Sequence, residues 1–205
     1  MLQPGTVAPG TLELLKELCS IQDLKDFYLA GGTALALQIG HRLSVDLDFF
    51  GKREFQTDEI LNLISAIKPI SIISQHKNIL ILNVSGIKVD FVNYRYPLLE
   101  DPIREKGVRV LALSDIAAMK LAAIAGRGRK RDFYDLYFLF KKFSLNEMIG
   151  FYNKKYEDGS EMMVARSLVF FDDADTDEPP ILLHSDITWN DVKKSILEVV
   201  RKGYK

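Results

Sequence analysis

Cysteine is nearly missing from this chain of 205 residues, which contains Cys19 alone. One cysteine excludes an internal disulfide bond and any zinc site built from several cysteines. Cys19 lies within an apolar pattern of helical spacing, so we expect it to be a small buried residue.

Long apolar runs are missing as well. The best candidate, residues 116–125, is too short to span a bilayer and contains Lys120. Residues 1–10 hold no basic leader followed by an apolar stretch, which is the pattern of a signal peptide. We therefore expect a cytoplasmic protein that does not associate with a membrane.

An excess of charge of either sign is also missing. The chain has 27 basic and 28 acidic residues, which gives a formal net charge of -1. Any contact with nucleic acid must therefore come from local segregation of charge rather than from a global field. The hydrophobic content of 47% is sufficient for a substantial core.

The apolar patterns predict an α+β fold, in which a small mixed sheet with flanking helices precedes a helical C-terminal part. Runs typical of strands occupy residues 27–30, 45–50, 70–73, 79–84, 87–94 and 108–111. Helical spacing follows in the last third, with predicted N-caps at Ser114, Ser144 and Thr188 and an acidic loop at residues 172–180. We expect two parts, residues 1–112 and 113–205.

Three aspartates stand out on the predicted strands. Side chains alternate along a strand, so Asp46 and Asp48 share one face, and Asp90 projects away from its apolar neighbours. The intervening apolar residues are predicted to face the core: Val45, Leu47 and Phe49. Two strands that each bury one face can therefore bring three carboxylates together.

Clustered carboxylates repel one another unless a cation balances them, and Mg²⁺ prefers oxygen ligands. In two-metal phosphoryl transfer, Asp46 and Asp48 would bridge the metals to a triphosphate, and Asp90 would hold the ion that activates the incoming hydroxyl. Gly31 and Gly32 would let the backbone approach a phosphate at a helix N-terminus, beside the Thr33 hydroxyl. These features also have simpler interpretations: the aspartates could lie on a solvated sheet face, and the glycine pair could form an ordinary turn.

The set of motifs resembles the nucleotidyltransferase AbiEii/AbiGii toxin family of the DNA polymerase β-like superfamily. The similarity covers residues 29–37, the pair His41-Arg42 and residues 44–50, and continues at residues 113–124 and 129–137. It implies that residues 1–112 form a nucleotidyltransferase catalytic core and that residues 113–205 complete the active site. Paired acids, a later lysine and a later aspartate are the residues that the family associates with activity.

Lys120 interrupts an otherwise apolar helix, so it needs an anion or a route to solvent. The anion could be a nucleotide triphosphate, or it could be Asp132 or Asp135 in an internal ion pair. The resemblance favours a nucleotide-facing Lys120 and makes Asp135 the functional acid, with Asp132 either at the nucleotide or paired with arginine. Arg42 either contacts nucleotide or caps the preceding helix.

A basic stretch without acids runs from Lys120 to Arg131. It could bind triphosphate or an RNA backbone, or it could be a solvated connection between helices.

The resemblance implies transfer of a nucleoside monophosphate (NMP) from an NTP to an acceptor, with two Mg²⁺ ions as cofactors. RNA, and first of all the 3′ end of tRNA, is the expected acceptor. The family further implies a toxin of a toxin–antitoxin or phage-defence system, with a cognate antitoxin as partner. Two other hypotheses stay open: transfer to a protein or to a small molecule such as an aminoglycoside, and a catalytically inactive binding scaffold.

Overall fold

One mixed sheet of seven strands occupies the first half of the chain. The computed structural model describes residues 1–203. The strands are β1 (Phe27–Ala30), β2 (Leu47–Gly51), β3 (Ile70–His76), β4 (Ile79–Val84), β5 (Ile87–Asn93), β6 (Ile103–Glu105) and β7 (Val108–Val110). Their order in the sheet is β3-β4-β5-β2-β1-β7-β6. The pairs β2–β5 and β1–β7 are parallel and the others antiparallel, which confirms the predicted mixed sheet and α+β class.

The sheet belongs to one of two units, formed by Met1–Gly40, Ser44–Pro97 and Asp101–Leu111. Its helices are α1 (Pro9–Ser20), α2 (Gly31–Ile39) and α3 (Thr57–Ser65). Alternation along β2 buries Leu47 and Phe49 almost completely and leaves Asp48 and Phe50 half-buried. The buried side of the sheet therefore supplies the core of this unit.

The second unit is helical and contains His41–Leu43, Leu98–Glu100 and the chain from Ala112 onwards. Its helices are α4 (Leu113–Gly126), α5 (Lys130–Leu139), α6 (Leu145–Lys155), α7 (Glu161–Ser167), α8 (Asp172–Asp175) and α9 (Trp189–Gly203). The predicted capping box of Ser144 and Glu147 is confirmed, and the Thr188 hydroxyl accepts from the Asp191 N–H as expected of an N-cap. Within residues 1–203, no helix has the length and apolar content that crossing a membrane requires.

Several local predictions were wrong at element boundaries. Strand β2 begins at Leu47, so Val45 is 62% exposed and does not face the core. Helix α4 begins at Leu113 with Ala112 as its N-cap, so Ser114 lies inside the helix and caps nothing. The predicted loop 172–180 contains α8, and β6 and α7 were not predicted because elements this short carry little periodicity.

Candidate active site

The turn from β1 into α2 lies directly against Asp48. Helix α2 begins at Gly31, whose φ of +66° is rarely adopted by residues with a side chain. A Cβ atom at Gly31 would overlap the Oδ2 atom of Asp48. Glycine is therefore required here for two reasons, the backbone conformation and the close approach of the carboxylate.

Thr33 is buried and its hydroxyl is already engaged within the sheet unit. Its Oγ1 atom lies 2.8 Å from the Ser44 hydroxyl and donates to the backbone carbonyl of Asp46. Thr33 is 1% exposed, and these two contacts of its hydroxyl connect α2 to the segment that enters β2. The predicted contact of Thr33 with phosphate stays a prediction, and the structure gives Thr33 a positioning role.

Asp48 and Asp90 are direct register partners on the parallel strands β2 and β5. Paired residues project from the same face of a sheet, so both carboxylates emerge on the half-exposed face. On the buried face the next pair, Phe49 and Phe91, stacks with ring centroids 5.2 Å apart and an interplanar angle of 8°. This buried contact belongs to the same register that places the two acids side by side and helps to stabilise it.

Asp46 precedes β2 and is half-buried. Within residues 1–203, no three His, Cys, Asp or Glu side chains are grouped closely enough to hold a metal ion. The structure therefore brings together two of the three predicted metal ligands, Asp48 and Asp90, as neighbours in the sheet.

Lys88 is a member of this cluster that the sequence analysis missed. It lies two residues before Asp90 on β5 and projects from the same face, and its Nζ atom is 2.6 Å from both Asp90 carboxylate oxygens. The lysine side chain is 39% exposed and the Asp90 side chain 15% exposed. The same two-residue alternation that placed the acids on one face would have placed Lys88 beside them.

In the helical unit, Asp135 on α5 is fully buried among cationic side chains. Arg42 donates to it from Nε at 2.7 Å and from Nη2 at 3.0 Å, and His41 Nε2 lies 2.7 Å from Oδ1. Lys120 Nζ lies 2.6 Å from Oδ2. Strand-like pairing of residues 41–43 with residues 181–183 holds His41 and Arg42 in place, through Leu43 N–H to the Ile181 carbonyl and Leu183 N–H to the His41 carbonyl.

Lys120 also binds Asp132, with Nζ 2.8 Å from Oδ1, and Arg127 completes the contacts of this aspartate. Lys120 is 4% exposed, so the internal ion pair that the sequence analysis left open is present and joins α4 to α5. Together, the buried residues 41, 42, 120, 132 and 135 form the buried ion cluster. Contact of Lys120 and Asp132 with nucleotide stays a prediction.

The electrostatics of the buried ion cluster follow from burial and attraction. Burial alone would raise the pKa of Asp135, but Lys120 and Arg42 attract its charge and bring that pKa well below the usual range. For Asp132 burial is likewise outweighed, by Lys120 and Arg127, and the pKa is lowered. Burial lowers the pKa of His41 despite its bond to Asp135, which favours a neutral ring.

The basic stretch after Lys120 meets acids from the segment near residue 175. Arg129 Nη1 lies 2.9 Å from Asp177 Oδ1, and buried Lys130 donates to the Asp175 carbonyl and contacts the Trp189 ring. A pocket of about 340 Å³ is lined by Arg129, Arg131, Asp177 and Glu178. This stretch is therefore partly neutralised by acids of its own unit, which weakens it as a phosphate-binding patch.

Comparison with known proteins identifies similar chains. A sequence model of the nucleotidyl transferase AbiEii toxin family, of type IV toxin–antitoxin systems, matches residues 13–202. An uncharacterized protein from Aquifex aeolicus (strain VF5) is 42% identical over 168 residues, which cover 79% of this chain and 82% of that protein.

Two solved structures share the fold at low sequence identity. JHP933 from Helicobacter pylori has a TM-score of 0.56 at 20% identity, over 96% of this chain and 92% of its own. MenT4, a nucleotidyltransferase toxin from Mycobacterium tuberculosis, has a TM-score of 0.58 at 18% identity, over 89% of this chain and 79% of its own.

Proposed function

Because the chain belongs to the nucleotidyl transferase AbiEii toxin family and is therefore a nucleotidyltransferase, we propose that it transfers an NMP from an NTP to the 3′ end of an RNA. Transfer RNA is the first candidate acceptor. The observation that carries the proposal is the pairing of Asp48 with Asp90 on the half-exposed sheet face, with Gly31 against Asp48. Carboxylates that hold metal ions and helix N-termini that favour phosphate are recurring parts of phosphoryl-transfer sites.

The acids of this face have the donor chemistry of a divalent-cation site, since carboxylate oxygens are the ligands that Mg²⁺ prefers. Asp48 and Asp90 are in place in the sheet, and Asp46 would join them from the segment before β2. The cation would displace the Lys88 ammonium from the Asp90 oxygens. The proposal includes two Mg²⁺ ions, which would neutralise phosphate charge and lower the pKa of the attacking hydroxyl.

The buried ion cluster is proposed to contribute Lys120 and Asp135 to activity, as the family resemblance implies. Buried ion networks seldom stabilise a fold more than apolar side chains would, and strongly shifted pKa values concentrate at functional sites. Asp135 has such a pKa and has three cationic or imidazole partners. This combination supports a functional rather than a purely structural cluster.

The proposed biological role is that of a toxin controlled by a cognate antitoxin, with phage defence as one setting. Support comes from the family, whose members are toxins of type IV toxin–antitoxin systems.

The test is incubation of the purified protein with total tRNA, Mg²⁺ and each α-³²P-labelled NTP in turn. We expect label on RNA with the wild type and loss of at least about 100-fold with Asp48→Asn, because this residue would stabilise the transferring phosphoryl group. Asp58→Asn is the matched control, since Asp58 is an exposed acid of the same unit on the first turn of α3. Its activity should equal that of the wild type.

The outcomes separate the competing hypotheses. Label on protein, or on an added aminoglycoside, with none on RNA would replace RNA by the other acceptor. Absence of label with every NTP and acceptor, together with absence of Mg²⁺ binding, would leave the inactive scaffold. Equal activity of Asp48→Asn and the wild type would remove Asp48 from the site.

A further inference from the structure

The sheet face that carries Asp48 and Asp90 continues into a row of aromatic rings. Phe50 follows Asp48 by two positions on β2 and is half-buried on the same face. Beyond β5, the Tyr94 N–H donates to the Gly51 carbonyl at 2.7 Å, so the pairing with β2 extends to Tyr94. The ring centroids of Phe50 and Tyr94 are 4.8 Å apart, and those of Tyr94 and Tyr96 are 5.0 Å apart.

These rings differ from the aromatic side chains of the core. Phe49 and Phe91 on the opposite face are at most 1% exposed. Phe50 and Tyr94 keep part of their surface exposed, and Tyr96 is 45% exposed. A row of partly exposed rings on a half-exposed sheet face is more typical of a binding surface than of packing.

A cationic residue separates the two tyrosines in the sequence. Arg95 stands between Tyr94 and Tyr96, and its side chain is 72% exposed. Its contact with Glu54, at 3.3 Å, joins two exposed groups and is therefore weak. Successive rings on a segment that also carries an exposed guanidinium fit the unpaired bases and backbone phosphate of a single-stranded nucleic acid.

We propose that Phe50, Tyr94 and Tyr96 form a stacking platform for the unpaired bases at the 3′ end of the acceptor RNA, with Arg95 at a backbone phosphate. Bases stacked on this platform approach the Asp48–Asp90 pair along a single face of the sheet. A succession of rings suits a polynucleotide rather than the one base of an NTP. This inference rests on the proposed RNA acceptor and names the surface of the sheet unit that receives it.

The first test measures binding without catalysis. A short 5′-fluorescein-labelled single-stranded RNA is titrated with full-length protein by fluorescence anisotropy, in the absence of Mg²⁺ and NTP. In Tyr94→Leu/Tyr96→Leu the dissociation constant should rise at least about tenfold, because stacking on a ring contributes that much per base. Tyr137→Leu, which changes a half-buried tyrosine of the helical unit, should bind like the wild type.

A second variant tests the platform without altering the rings. Arg95→Gln should reduce the slope of log Kd against log[salt] by about 1, because one contact with a phosphate is lost. An unchanged salt slope in Arg95→Gln, together with unaltered RNA affinity of the tyrosine variant, would overturn the platform. RNA labelling by the wild type would remain intact in that case. A rise in the KM for NTP with unchanged RNA affinity would assign the rings to the nucleotide base and overturn the inference. A wild type that neither binds nor labels RNA would overturn the proposed acceptor as well.

Discussion

The two units hold their charged residues in opposite ways. In the sheet unit, Asp90 is partly exposed and contacts Lys88, a lysine that is itself 39% exposed. In the helical unit, Asp132 and Asp135 are fully buried and each contacts at least two cationic side chains. The first arrangement leaves carboxylates on a surface, whereas the second encloses them.

This contrast predicts that substitutions in the two units differ in how much they reduce the stability of the fold. Ion pairs between partly exposed groups contribute about 0–1 kcal/mol, because water competes for both partners. Removing one partner of a buried pair costs about 3–5 kcal/mol, because a charge is left without compensation. We therefore expect the acids of the sheet face to tolerate substitution with little change in stability, and those of the buried ion cluster to tolerate very little.

The largest expected effect is that of Asp135→Ala. It leaves Lys120 and Arg42 buried beside an apolar methyl group, so the free energy of unfolding should fall by about 3–5 kcal/mol in urea denaturation. Glu59→Ala is the control from the sheet unit, because Glu59 lies 3.8 Å from Arg53 and the two side chains are 59% and 37% exposed. The control should lose no more than about 1 kcal/mol. Similar losses in the two variants would contradict the contrast between the units.

The difference in stability between the wild type and Asp135→Ala should also depend on pH. The folded-state pKa of Asp135 is held well below its usual value, so its contribution to stability is complete above the unfolded-state pKa of about 4. As the pH falls below about 4, the unfolded chain takes up the proton first and this contribution is progressively lost. The stability difference between the wild type and Asp135→Ala should therefore be constant near neutral pH and shrink below about pH 4. A difference that stays constant down to pH 2 would remove Asp135 as its source.

The next effect concerns the turn against Asp48. Gly31→Ala introduces a Cβ at φ +66° that overlaps the Asp48 carboxylate, so we expect a loss of about 2–4 kcal/mol and reduced NMP transfer. Gly86→Ala is the matched control, since Gly86 has a φ of +91° and a Cβ there would meet nothing within 4 Å. That variant should lose only about 1–2 kcal/mol. Equal losses, measured by thermal and urea unfolding, would show that Asp48 does not press against the turn.

Much of the sheet unit could be predicted because its signals are local. The two-residue alternation predicted that Asp48 and Asp90 each project away from buried apolar neighbours, and the apolar runs at residues 27–30 and 79–84 became strands with those bounds. The adjacency of the two acids depends on the parallel register of β2 and β5, which alternation alone does not fix. Lys88 was accessible to the same reasoning and was overlooked.

The helical unit was harder to predict because its contacts link distant residues. The partners of Asp135 include Arg42, 93 positions away in the sequence. Nothing in the local pattern shows that residues 41–43 pair with residues 181–183 and cluster with the helices. The sequence therefore indicated that Lys120 needs an anion. Only the fold shows that Asp132 and Asp135 both contact it.

The smallest expected effect, and the sharpest test of the contrast, is that of Lys88→Met. Because Lys88 and Asp90 are both partly exposed, stability should change by less than about 1 kcal/mol. Removing an ammonium that competes for the Asp90 oxygens should raise the affinity for Mn²⁺, measured by calorimetry without NTP, by up to about tenfold. Lys106→Met is the control, because Lys106 is 61% exposed at 3.9 Å from Glu105. Unchanged Mn²⁺ affinity in both Lys88→Met and Asp90→Asn would place the cation away from this face. A large loss of stability in Lys88→Met would instead show that the Lys88–Asp90 pair contributes to folding as much as a buried ion pair does.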